Sequence, residues 1–160
     1  MSESRIKRII DWSEVDWLVR SIVRRVPIDP YDIVLVITRG GMVPACLISE
    51  RLHLRHIMVA AVQFHTRDGG SLDAPVFWQF PDDELLRGRS VMIVDDVWDS
   101  GRTAVAVRDR VRSVARRADL VVLHYKPESS QFSDQSPDIY GEITRDWIIY
   151  PWDEFENSSP

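Results

Sequence analysis

The residues with the most chemistry to offer fall within one short stretch, Val91–Thr103, which reads Val-Met-Ile-Val-Asp-Asp-Val-Trp-Asp-Ser-Gly-Arg-Thr. Four apolar residues, three of them β-branched, predict a buried strand. The adjacent carboxylates Asp95 and Asp96 end it, and a third, Asp99, follows. The small-residue turn Ser100-Gly101 then opens an apolar-periodic helix. Open α/β sheets bind ligands at the carboxyl ends of their strands. The first N–H groups of a helix have no intrahelical partner, and the dipole there favours an anion. One stretch therefore offers a phosphate cradle beside carboxylates suited to hydroxyls, a metal ion or a developing cation. A single acid here would read as a strand-end cap; the pair, the third acid and the turn together are far more specific.

The elements that must position this stretch alternate between strand and helix. Ser13 is a candidate N-cap for an amphipathic helix over Glu14–Arg25, with Val15, Leu18, Ile22 and Val23 at helical spacing. Ile33–Ile37 is a continuous apolar run, as in a strand buried on both faces. Thr38-Arg39-Gly40-Gly41 turns it into a helix over Met42–Leu52, with Pro44 in the first turn. Ile57–Phe64 predicts a second strand, and Asp83–Leu86 a short helical turn. Between them, residues 65–82 read as a long loop or hairpin arm, with Val76–Phe80 as its returning limb. From Thr103 a helix is expected to about Arg117, with Arg108, Arg112 and Arg116 off its apolar face and Arg116 and Arg117 at its negative end. Strands at Leu120–His124, Ile139–Ile143 and Trp147–Tyr150 complete the chain. The fold class is α/β: a mostly parallel central sheet flanked by helices with right-handed crossovers.

Composition bounds the function. The 160 residues suit one domain, and the net charge of −5 gives no overall pull toward nucleic acid or an anionic membrane. Cys46, the one cysteine, reads as a core residue of its helix and suits a reducing compartment. No apolar run approaches membrane-spanning length, and the first residues lack a signal peptide's apolar core. The expectation is a cytoplasmic protein. His53, His56, His65 and His124 show no metal-ligand spacing.

The stretch Ile93–Thr103 resembles the phosphoribosyl pyrophosphate (PRPP) motif of type I phosphoribosyltransferases: apolar residues, two acids, then Asp-Ser-Gly-x-Thr. Trp98 is bulkier, and Arg102 larger, than the residues common at those positions. The resemblance implies that Ser100, Gly101, Arg102 and Thr103 cradle the 5′-phosphate through N–H groups and hydroxyls. It implies that Asp95 and Asp96 accept the ribose hydroxyls, one through Mg²⁺. In purine-using members the acid matching Asp99 lies near N7 of the base and takes the catalytic proton-transfer role. Thr38-Arg39-Gly40-Gly41 alone would read as an ordinary turn; beside the motif it resembles the family's pyrophosphate loop, with Arg39 and Gly40 facing the leaving group.

By type alone, Lys126 is a strand-end charge and Trp147 a core aromatic. Together, Lys126-Pro127 and Trp147-Ile148-Ile149-Tyr150-Pro151-Trp152-Asp153 resemble the bacterial 6-oxopurine phosphoribosyltransferases of the xanthine–guanine type. That likeness implies that Lys126 donates to the purine 6-oxo group, the Trp147 ring stacks on the base, and main-chain groups of Trp147 and Ile148 read its edge. Asp153 would bind Mg²⁺ through water. Ile149 departs from the acid common after Trp-Ile in that subfamily. The resemblance implies one domain over residues 1–160, with a core at about 10–126, a base-binding hood at about 127–155 and a mobile flap at about 65–82. It implies PRPP and a purine base as partners, and a homodimer or homotetramer. A non-catalytic PRPP or nucleotide sensor on the same fold and a phosphoribosyltransferase acting on another base, a pyrimidine or orotate, are the other readings; Asp99, Lys126 and Trp147 together favour catalysis, and the Lys126–Trp147 pair argues against the other base.

Overall fold

The computed structural model describes residues 6–65 and 70–156. Its centre is a six-stranded sheet built from β2 (Ile33–Ile37), β3 (Ile57–His65), β4 (Ser71–Gln79), β5 (Ser90–Trp98), β6 (Arg117–Tyr125) and β7 (Ile139–Ile143). The order is β4-β3-β2-β5-β6-β7; only β3 and β4 run antiparallel. Alternation along the strands divides the core in two. Val34, Val36, Met92, Val94, Val121 and Leu123 face one layer, where α1 (Trp12–Val23) and α2 (Met42–Leu52) pack. Leu35, Ile37, Ile93, Leu120 and Val122 face the other, covered by α4 (Arg102–Arg112) and by Leu86 of the short α3 (Asp83–Leu86). Both faces are buried, which is why β2 reads as unbroken apolar sequence.

Several boundaries differ from the sequence reading. Helix α1 is capped by Asp11, not Ser13: the Asp11 carboxylate accepts the Glu14 N–H at 2.9 Å. Of the two readings of 65–82, the hairpin arm is the one seen: β4 returns antiparallel along β3 with register shifts, but it begins at Ser71 rather than Val76; residues 66–69 lie outside the described residues. Helix α4 stops at Arg112, because the Arg116 and Arg117 N–H groups turn to the Arg89 carbonyl and β6 starts at Arg117. Arg110 and Arg112, not Arg116 and Arg117, therefore occupy the last turn. Arg108 is 3% exposed, its guanidinium donating to Ser136 O at 2.7 Å and Gln135 Oε1 at 3.0 Å. Cys46 is exposed on α2, whose inner face is instead Pro44, Ala45, Ile48 and Ser49.

A second, two-stranded sheet was not foreseen. The lead-in forms β1 (Lys7–Ile9), parallel to β8 (Trp147–Ile149). Arg8 secures it, donating to Glu142 at 3.0 Å and Glu14 at 2.9 Å. A 3₁₀ turn, Pro151–Glu156, follows β8. Among the described residues no helix is long and apolar enough to cross a membrane.

Candidate active site

The chain leaves β2 toward β3 on one side, while β5 lies on the other, so the strand order reverses between β2 and β5. Their following helices, α2 and α4, cover opposite faces. The two loops therefore part above the sheet, and a crevice opens at that point. Thr38–Gly41 forms one lip and Asp95–Thr103 the other. The Thr38–Arg39 peptide is cis, and Arg39 is exposed. Gly40 lies directly against the Asp96 carboxylate, where an added Cβ would overlap the carboxylate atoms. The two lips are thus in contact through a glycine.

Strand β5 runs through the acids to Trp98 rather than ending at them. Asp95 and Asp96 form part of the crevice floor, partly accessible. Their carboxylates take the Asp96 and Val97 N–H groups at 2.9 and 2.7 Å. Burial, and then the neighbouring Asp96 charge, pushes Asp95 well up from the ordinary carboxylate range. Burial also raises Asp96, to about 6, and the charge of Asp153 adds to it. Two carboxyls so placed favour holding a proton between them, or meeting a cation.

At the start of α4, Gly101 adopts φ +82°, a left-handed conformation suited to glycine. The Arg102 N–H meets Ser100 Oγ at 3.3 Å. The Arg102 side chain leaves the turn: its guanidinium donates to Leu72 O at 2.6 Å and lies 4.3 Å from the Phe64 ring centroid. Its size is accommodated on the β3–β4 arm, so only its main chain belongs to the turn. Thr103 begins the helix beside it.

The third group meets at the far end of the crevice. Lys126, 3% exposed, directly follows β6; its Nζ lies 3.4 Å from Asp99 Oδ2 and 5.4 Å from the Trp147 ring centroid. Trp147 is 51% exposed, so its ring is no core aromatic. Its N–H, however, bonds the Ile6 carbonyl at 2.9 Å, and Ile149 O takes the Ile10 N–H at 3.1 Å. The alternation of a parallel ladder turns the N–H and C=O of Ile148 to the opposite edge. The Trp147 N–H is thus taken up within this ladder, while the main-chain groups of Ile148 face away from β1.

Sequence reasoning missed a buried group behind the acids. The Tyr150 hydroxyl donates to Asp96 O at 3.2 Å and lies 2.8 Å from His124 Nδ1. Burial, reinforced by the charges of Asp96, Asp95 and Asp153, raises the Tyr150 phenol. Tyr150 stacks on Trp152 with ring centroids 4.6 Å apart. No spacing rule flags residues brought together from two strands, the residue after β8 and a 3₁₀ turn.

Magnesium, implied by the resemblance, finds hard oxygen donors in Asp95 and Asp96, whose pKa values are raised first by burial and then by neighbouring carboxylate charge that a cation would relieve. Asp153 is near enough for its charge to act on Asp96, while its Oδ2 accepts the Tyr150 N–H at 3.0 Å. Among the described residues no group of three or more His, Cys, Asp or Glu side chains forms a protein-only cage. The donors present fit an ion that takes its other ligands from phosphates and water.

A strand-borne acid pair, a glycine turn opening a helix and a Gly-Gly lip thus meet at the switch point of an α/β sheet. The phosphoribosyl transferase domain model matches residues 14–158, and the chain belongs to that family. It is 29% identical over 146 residues to the xanthine-guanine phosphoribosyltransferase of Idiomarina loihiensis, covering 90% of this chain and 85% of that one. With the enzyme of the same description from Ruegeria sp. it shares 33% identity over 125 residues, 75% of this chain and 67% of the other. The crystal structure of a purine phosphoribosyltransferase from Pyrococcus horikoshii superposes with a TM-score of 0.77 at 30% identity, covering 93% and 95% of the two chains.

Proposed function

We propose that this phosphoribosyltransferase transfers the 5-phosphoribosyl group from PRPP to a 6-oxopurine (xanthine, guanine or hypoxanthine) in purine salvage, giving the nucleoside 5′-monophosphate and pyrophosphate. The observation that carries the reading is the meeting of Lys126, Asp99 and Trp147 at one end of a crevice floored by Asp95 and Asp96. In this reading residues 127–155 form the hood over the base.

The Ser100–Thr103 turn holds the 5′-phosphate, and Asp95 and Asp96 accept the ribose hydroxyls. Arg39 and the main chain at Gly40 hold the pyrophosphate. The C1–oxygen bond to pyrophosphate breaks as the bond from C1 to purine N9 forms. Negative charge below the ring stabilises the cationic sugar between these events. Asp99 takes the proton leaving N7. Lys126 donates to the 6-oxo oxygen; a 6-amino group would face it with a donor and leave both unpaired. The Trp147 indole lies flat on the base. Magnesium, held by Asp95 and through water by Asp153, would supply charge neutralisation for the leaving pyrophosphate. We place the enzyme in the cytoplasm as a homodimer or homotetramer.

The test is pyrophosphate release from PRPP with magnesium and each of hypoxanthine, guanine, xanthine and adenine. Turnover with 6-oxopurines, lost in Asp99→Asn, is expected. Turnover with no base overturns the activity, and turnover with adenine alone overturns the role of Lys126.

A further inference from the structure

Trp98, the residue out of pattern in the acidic motif, is 1% exposed and lies beneath the phosphate turn. A Cβ added to Gly101 would overlap Cε2 and Nε1 of its indole, so the ring is the surface on which Gly101 turns. The indole is held at its edge and around its faces. Its Nε1–H donates to Ser130 Oγ at 3.0 Å. That hydroxyl donates in turn to Phe132 O at 3.1 Å and accepts the Phe132 N–H at 3.2 Å. The hydroxyl hydrogen is thereby directed to Phe132, leaving lone-pair density for the indole. Tyr125 and Phe132 meet the ring edge-on at 6.0 and 6.4 Å, and the buried Arg108 guanidinium lies 5.5 Å from its centroid.

The same segment ties down the carbonyl side of the turn. Trp98 O accepts the Lys126 N–H, and Ser100 O accepts the Gln131 N–H, both at 2.9 Å. Carbonyls drawn back toward residues 126–131 leave the turn's N–H groups on the crevice side, where an anion would be met.

We propose that Trp98, anchored by Ser130, is a positioning residue for the 5′-phosphate: the indole fixes the Gly101 backbone and with it the N–H groups of the cradle. This rests on the function proposed above. Neither side chain touches substrate; both act through the main chain of the turn.

The test compares Trp98→Phe, which removes the indole donor and leaves space beneath Gly101, with Ser130→Ala, which removes the indole's acceptor and with it the hydroxyl's two bonds to Phe132 in the same partly buried loop. Ser130→Thr keeps the hydroxyl. Calorimetry gives the affinities for guanosine 5′-monophosphate and for guanosine, and kinetics the KM values for PRPP and for the base. Loss of one anchoring hydrogen bond is expected to weaken monophosphate binding and raise the KM for PRPP about three- to tenfold. Guanosine affinity and the KM for the base stay unchanged, and Ser130→Thr restores the wild-type values. The proposal is overturned if monophosphate and nucleoside affinities fall together, or if Ser130→Ala leaves monophosphate binding unchanged. Wild-type protein that binds the monophosphate but turns over no base overturns the proposed activity and leaves this comparison decisive. Wild-type protein that binds neither ligand overturns both.

Discussion

His124 should make the protein lose stability on mild acidification, and its environment fixes both the sign and the size. The side chain is 0% exposed. Nδ1 lies against the Tyr150 hydroxyl at 2.8 Å, and among the described residues the buried Nε2 has no hydrogen-bond partner. Glu142 Oε2 is 3.7 Å from Nε2, which favours the cation, but Arg8 holds that carboxylate and its charge, like that of Lys126, opposes it; Glu14 adds a weaker favourable field. Burial is the largest influence, and it lowers the imidazole from 6.5 to about 4. Above 6.5 the ring is neutral in both folded and unfolded chains and contributes no pH dependence. Between 6.5 and about 4 the unfolded chain binds a proton that the folded chain refuses, so stability falls as pH falls. The slope is about 1.4 kcal/mol per pH unit, and the full loss about 3 kcal/mol. Urea unfolding of wild type and His124→Asn across this range isolates the contribution, because other titrating groups act in both proteins. The variant, which keeps an amide for Tyr150, should start less stable near neutral pH and recover about 2–3 kcal/mol relative to wild type on acidification. Stability curves that stay parallel over the whole range would refute the reasoning.

Lys126→Met removes the donor to the 6-oxo group while keeping the buried stem. Turnover with hypoxanthine or guanine should fall by about two orders of magnitude, with the discrimination against adenine shrinking in parallel; unchanged relative kcat/KM across the base panel would count against the assignment. Gly40→Ala places a methyl group against the Asp96 carboxylate. The chain should still fold, but the KM for PRPP should rise at least about tenfold as the two lips separate; wild-type kinetics in a folded variant would show that the contact is dispensable.

The parts of the site that one local segment builds were legible in the sequence. A buried strand, two acids and a turn into a helix carry their own positioning, because strand period, helix-start chemistry and the switch-point rule all operate over a few residues. The base end was legible only through resemblance, since Lys126 follows β6 of the large sheet and Trp147 lies on β8 of the small one, and their meeting is a contact between sheets that no periodicity announces. What escaped altogether was long-range. The pairing of Lys7–Ile9 with Trp147–Ile149 joins the two ends of the chain, and three exposed or half-exposed residues give no strand signal. Helix α4 was read too long for a related reason: its arginines suit a helix terminus equally well by propensity, and only the competing bonds to Arg89 O show where the helix yields to β6.

The same long-range contacts explain why the acids can occupy a buried strand. Asp95 and Asp96 sit where burial opposes their charge, and a strand that continues past them must hold its main chain without water. On one side β6 supplies that hold, pairing Val97 with His124 and Trp98 with Tyr125. On the other, the Tyr150 hydroxyl takes the Asp96 carbonyl, and His124 lies against that hydroxyl. Trp98 then ends the strand in a pocket made by the loop after Lys126, which also carries the Gln131 N–H to Ser100 O. Lys126 therefore stands at a junction: its N–H fixes the strand end that leads into the phosphate turn, and its ammonium reaches Asp99 and Trp147. One residue joins the proposed ribose-phosphate floor to the proposed base site through its main chain and its side chain at once. The spacing of the two proposed half-sites therefore depends on this strand end together with the β1–β8 ladder that carries Trp147.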